Sequence, residues 1–142
     1  MTTQAQRFET ARGTVHAWQL DHMGHINVRA YAEFFEEASW QFYNHIGISP
    51  SMLRAGKFHM AAVQQDTSYL KELHAGDVID VHSRIVELRE KVFKFEHELT
   101  NSETNIVCAR SVFTVVCIDS VTRRSMPLPA EIMAKARAAL GH

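Results

Sequence analysis

Between residues 28 and 46 the apolar residues Tyr31, Phe34, Phe35, Ala38, Phe42 and Ile46 recur at steps of three, four and seven, which lays them on one stripe of a helix. Asn27 is suited to cap its start, because its side-chain oxygen can accept a first-turn N–H, and Gly47 ends it. After residue 57 the period changes to two, so a single amphipathic helix must find its cover in a sheet. Strands are expected over Gly13 to Leu20, Phe58 to Leu73, Val78 to Leu88, Val92 to Thr100 and Ile106 to Ile118. Turns fall at His74-Ala75-Gly76-Asp77, Arg89-Glu90-Lys91 and Asn101 to Asn105, the last four strands being read as consecutive hairpins. A short terminal helix, Ala130 to Leu140, carries Glu131 early and Lys135 and Arg137 late, matching its macrodipole. The architecture is α+β, a five-stranded antiparallel sheet curled around one long helix. Its two open edges call for at least a homodimer, and Trp40, on the polar side of the long helix, is either a tolerated surface residue or a contact with another subunit.

A length of 142 residues, 46% apolar and 22% charged, suits one domain, 1–142, without linker or repeat. Fifteen basic against sixteen acidic residues leave a net charge of −1, which gives no general field for nucleic acid. No apolar run approaches the ~20 residues of a membrane span, and Met1 to Thr10, read as a frayed start, has no signal core, so a cytoplasmic protein is expected. Cys108 and Cys117 share one strand, about 30 Å apart by strand rise, and are expected to be reduced.

The densest polar cluster is Asp21-His22-Met23-Gly24-His25-Ile26-Asn27, between the first strand and the helix start. Free N–H groups there can hold a carbonyl oxygen or an oxyanion, a carboxylate at 21 can attack an acyl carbon or activate water, and Gly24 lets the loop turn sharply. Each residue also has a plain structural role available: an Asx contact for Asp21, loop bonding or capping for His25 and Asn27. His22 and His25 form a His-x-x-His pair, but zinc needs three or four organised ligands, so no metal is expected. His45 and His97 fall on apolar faces and read as hydrogen-bonded core histidines. Gly47-Ile48-Ser49-Pro50-Ser51 lacks the last glycine of a nucleophile elbow, and the mid-strand cysteines have no helix terminus beside them.

The order Asp21-x-x-Gly24-His25-x-Asn27-x-x-x-Tyr31, followed by Phe34-Phe35-Glu36-Glu37-Ala38, resembles the active-site signature of hotdog-fold acyl-CoA thioesterases of the 4-hydroxybenzoyl-CoA thioesterase type. Tyr69-Leu70-Lys71 with Gly76-Asp77 is similar to that family's second-strand ending and turn, and the likeness spans roughly residues 12 to 119. The resemblance implies an acyl-CoA thioesterase without a bound cofactor, assembled as a homodimer or homotetramer (a dimer of dimers). It places Asp21 as the catalytic carboxylate and the backbone amide of Val28 on the thioester oxygen, with Gly24, His25, Asn27 and Tyr31 as substrate-binding positions. Gln19 stands where many relatives carry a second acidic residue, which leaves Asp21 without that helper. A hotdog hydratase or dehydratase and a non-catalytic acyl-CoA binding module are the competing classes. Lys57, Arg84, Lys91, Arg123 and Arg124 are candidates for the CoA phosphates, and Phe35, Tyr43, Phe58, Met60 and Tyr69 for the acyl pocket.

Overall fold

The computed structural model describes residues 4–141, so the first three residues of the Met1 to Thr10 start lie outside it, as does the last residue of the chain. In chain order it contains β1 (Phe8–Thr14), a 3-10 turn (Ala17–Gln19), α1 (Val28–His45), α2 (Pro50–Arg54), β2 (Phe58–Tyr69), β3 (Val78–Leu88), β4 (Val92–Asn101), β5 (Ile106–Asp119) and α3 (Ala130–Leu140). The five strands form one antiparallel sheet in the order β1-β3-β4-β5-β2. The expected α+β class is the one found.

The helix stripe does what its period requires. Ala30, Tyr31, Phe34, Phe35, Ala38 and Phe42 are buried, and Asn27 Oδ1 accepts the Arg29 N–H at 2.8 Å. Across from the helix, Ile79, Val81 and Ile85 of β3, Phe93, Phe95 and Leu99 of β4 and Phe113 and Val115 of β5 complete the core. The aromatic rings meet at ordinary packing distances, Phe42 to Phe95 at 4.9 Å and Phe95 to Phe113 at 5.3 Å. Gly13 is required by this approach, because a Cβ there would stand 2.8 Å from the Phe34 ring.

Two expectations about the strands are corrected. The first strand is Phe8–Thr14 rather than Gly13 to Leu20. Its pairing with β3 includes a bulge between Glu9 and Ala11, which buries Thr10 and Ala11 side by side and hides the period of two. Beyond it Val15 bonds to the 74–77 turn and residues 16–19 tighten into the 3-10 turn, Gln19 N–H donating to His16 O at 2.9 Å. The second correction concerns β2, which ends at Tyr69 and pairs with β5 instead of β3. Residues 70–77 therefore cross the end of the sheet to reach β3. Leu73 of that crossing is fully buried and its carbonyl accepts the Ile26 N–H at 2.9 Å, so the crossing is fastened to the loop before α1. The unforeseen helix α2 begins with Ser49 as cap, Oγ accepting the Met52 N–H at 3.2 Å, and Pro50 in its first turn.

His97 is the buried histidine expected; His45 is not, being exposed and stacked on Phe8 at 4.7 Å. Ser39 Oγ donates to Phe35 O at 2.9 Å, which makes it the acceptor for His97 Nε2–H at 2.9 Å. Nδ1 is then the acceptor from Ser83 Oγ–H at 2.5 Å, and Ser83 Oγ lies 2.7 Å from Thr10 Oγ1. This chain ties α1, β4, β3 and β1 together, and burial lowers the His97 pKa to about 3. Because the folded pKa lies below the unfolded value, the unfolded chain binds more protons between the two. Stability is then full above pH ~6.5 and falls as pH drops toward 3, by up to about 1.4 kcal/mol per pH unit. Urea unfolding at pH 7 and pH 5 is expected to show this loss, and His97→Leu to flatten it while costing about 1 to 3 kcal/mol at pH 7 through two lost hydrogen bonds, Ser39 keeping Phe35 O and Ser83 keeping Thr10 Oγ1.

Candidate active site

The loop 21–27 folds on itself through its own polar groups. The Asp21 N–H donates to His25 O at 2.8 Å, and the Gly24 N–H donates to Asp21 O at 3.1 Å with Gly24 at φ 79°, a conformation that favours glycine. Asp21 Oδ1 accepts the Met23 N–H at 2.8 Å and the His25 N–H at 3.4 Å. The Met23 bond, followed by that of His25 and the neighbouring histidines, holds the Asp21 carboxyl below the usual carboxylate range, against some desolvation. The group is ionised at neutral pH.

A cavity of about 400 Å³ opens beside this loop, lined by Asp21, His25, Val28 and Tyr31 from the α1 side and by Tyr69 and Glu72 from the β2 side. Four of the six expected site residues thus meet in one place. Gly24 and Asn27 are not among the lining residues; the first turns the loop and the second caps the helix. In the first turn of α1 the Arg29 N–H is bonded to Asn27 Oδ1, and those of Ala30 and Tyr31 to Asn27 O. Among the described residues the Val28 N–H has no protein acceptor, which leaves it free at the positive end of an 18-residue helix.

Tyr31 is buried, donates its hydroxyl to Lys71 O at 3.3 Å and packs its ring 5.1 Å from that of Tyr69. Burial raises its pKa to about 12, so it remains a neutral phenol. His25 Nε2 lies 3.1 Å from Glu72 Oε2. Glu72, from the β2–β3 crossing, escaped the sequence reading, and Lys71 entered it only as part of a strand ending, since nothing in the chain's order announces that the crossing passes the helix start. Among the basic residues named for CoA, none lines this cavity, and Arg84 is engaged with Glu96 at 3.2 Å; Lys71 is the cation at its wall. Of the acyl-pocket candidates, Tyr69 lines the cavity, Phe35 and Phe58 are core, and Tyr43 and Met60 line a separate cleft of about 470 Å³ between α1, α2 and β2. Trp40 is half-exposed at the same cleft, its Nε1–H 3.3 Å from Glu36 Oε1. Both cysteines are buried free thiols.

Residues 15–136 match the thioesterase-like superfamily. The chain belongs to that family. This superfamily member is 26% identical over 121 residues to the long-chain acyl-CoA thioesterase FadM of Escherichia coli, spanning 85% of this chain and 91% of that protein. It is 26% identical over 119 residues to the L-carnitine dehydrogenase/betainyl-CoA thioesterase of Rhizobium meliloti, spanning 84% of this chain and 24% of that longer protein. Among solved structures, a Staphylococcus aureus protein in complex with CoA is similar with a TM-score of 0.85 at 23% identity, over 99% of this chain and 86% of that one. The hotdog fold and the hydrolase class expected from the sequence agree with these likenesses. No helix of the described residues is long and apolar enough to cross a membrane.

Proposed function

We propose that the protein is a cytoplasmic acyl-CoA thioesterase of the 4-hydroxybenzoyl-CoA thioesterase type, acting at the cavity beside α1. The observation that carries this reading is the pairing, in one cavity wall, of an ionised carboxylate at Asp21 with the unpaired amide of Val28 at a helix N-terminus. The amide takes the thioester oxygen and stabilises the charge that develops on it. Asp21 supplies an electron pair, either to the acyl carbon directly or to the proton of an attacking water. The C–S bond then breaks, CoA leaves as thiolate and is protonated, and the acyl group ends as the free acid, at once when water is the attacker, or after water cleaves the acyl–Asp21 anhydride and restores the carboxylate when Asp21 is. His25, Tyr31 and Tyr69 shape the acyl side of the wall, and Lys71 is placed to meet an anionic part of CoA.

The domain spans the chain and is proposed to work as a homodimer or a dimer of dimers. In the sheet β2 is an edge strand of 12 residues, with Val63 exposed, a surface that soluble proteins usually pair or cover. Release of free CoA, followed with a thiol reagent over short, medium, long, aromatic and quaternary-ammonium acyl-CoAs, tests the activity. Hydrolysis of one class well above the rest is the expected outcome. Ligand-dependent stabilisation without turnover across the panel would favour the binding-module reading instead.

A further inference from the structure

We infer that His25, Glu72 and His74 form a divalent-cation site, with zinc as the ion their chemistry suits. Their ligand atoms, two imidazole nitrogens and a carboxylate oxygen, all lie within 4.8 Å of one another. Three such donors with a water in fourth place are a common zinc set, and tetrahedral bonds of about 2.0 to 2.1 Å bring donor atoms to about 3.4 Å apart. Exposed side chains at 72 and 74 can close that difference by small rotations, without moving the backbone.

The backbone already holds the three residues in register. Glu72 and His74 flank Leu73, which is fully buried while both neighbours are exposed, so the two ligand side chains face outward. The carbonyl of that same Leu73 accepts the Ile26 N–H at 2.9 Å, which sets His25 directly across from the pair. His25 Nε2 is 3.1 Å from Glu72 Oε2, and the His25 and His74 rings meet edge to face at 5.5 Å. The His74 backbone is clamped in turn: its N–H donates to Asp77 Oδ2 at 2.8 Å and its carbonyl accepts the Asp77 N–H at 3.0 Å. Asp77 Oδ2 also lies 4.0 Å from His74 Nδ1, beyond hydrogen-bond reach, so the imidazole remains free to turn toward an ion.

Two of the three ligands line the cavity that contains Asp21. Zinc would therefore fix His25 and Glu72 across its mouth. Binding itself is independent of the thioesterase reading, whereas blockade of hydrolysis rests on it. The test is calorimetric titration of the full chain with zinc chloride, beside His74→Asn, Glu72→Gln and, as a control, His22→Asn. One zinc per chain is expected for wild type and the control, with affinity lowered at least ~10-fold in the other two, the scale seen on perturbing a metal site. Equal zinc affinity in all four proteins, or no zinc uptake by folded wild type, would overturn the site. In the activity arm, zinc is expected to slow CoA release by wild type and to spare His74→Asn, whose side chain lies outside the cavity wall. Zinc bound with hydrolysis undiminished would overturn the blockade, while the calorimetry stands even if no thioester is hydrolysed.

Discussion

Val28→Pro is expected to lower kcat by about 10²- to 10³-fold, the cost of removing one oxyanion donor, while leaving the fold as stable as before. Proline deletes one N–H and exchanges an exposed apolar side chain for another of similar size. Among the described residues the Val28 amide gives no hydrogen bond to the protein, so none is lost to folding. Proline is well suited to the first helical position, with its φ already near the helical value. The preceding residue must be extended, and Asn27 is, at φ −75° and ψ 146°. The Asn27 cap acts on Arg29 N and survives the change. Steady-state hydrolysis with thermal unfolding beside it checks the outcome; a stable variant with wild-type turnover would remove the Val28 amide from the mechanism.

Asp21→Asn carries the second large effect, a fall in turnover of at least ~10²-fold, from the range for a positioned acid or base. Asparagine is the informative replacement because its Oδ1 can keep the Met23 and His25 bonds that shape the loop, while the charge disappears. Asp21→Ala would lose both and confuse loop disorder with lost chemistry. The expected result is therefore a protein that melts close to wild type and hardly releases CoA. Turnover within a few-fold of wild type would contradict the assignment.

What the sequence made legible follows from where the physics is local. The α1 stripe, its Asn27 cap, the bounds of β3 and of α3 and the burial of His97 depend on period, capping and side-chain polarity, all of which can be read within a dozen residues. The first strand was misplaced because Phe8–Thr14 carries a bulge and little apolar bulk, whereas residues 15 to 20 alternate without being strand. Strand order was missed for a different reason. Pairing of β2 with β5 joins residues forty to sixty-one positions apart, from Tyr69 with Ala109 to Phe58 with Asp119, and a turn such as His74 to Asp77 looks the same whether it closes a hairpin or a crossing. That crossing brings Lys71, Glu72 and His74 to the loop of Asp21 and His25, so a third of the cavity wall, Leu70, Lys71 and Glu72, takes its place only through the topology. In sequence His25 pairs with His22 and no metal is expected; in the fold its neighbours are Glu72 and His74 instead.

In the proposed reaction the reacting group is the Asp21 carboxylate, whose pKa is lowered by the loop amides, so its ionised form is lost only as pH falls below the usual carboxylate range. The pH dependence of kcat/KM for CoA release by the wild-type protein tests this most directly. A profile flat from pH ~8 down to ~5, above the ordinary carboxylate pKa, is the result expected. An acid limb centred near pH ~6.5, the value of a free histidine, would show that a different group drives the reaction.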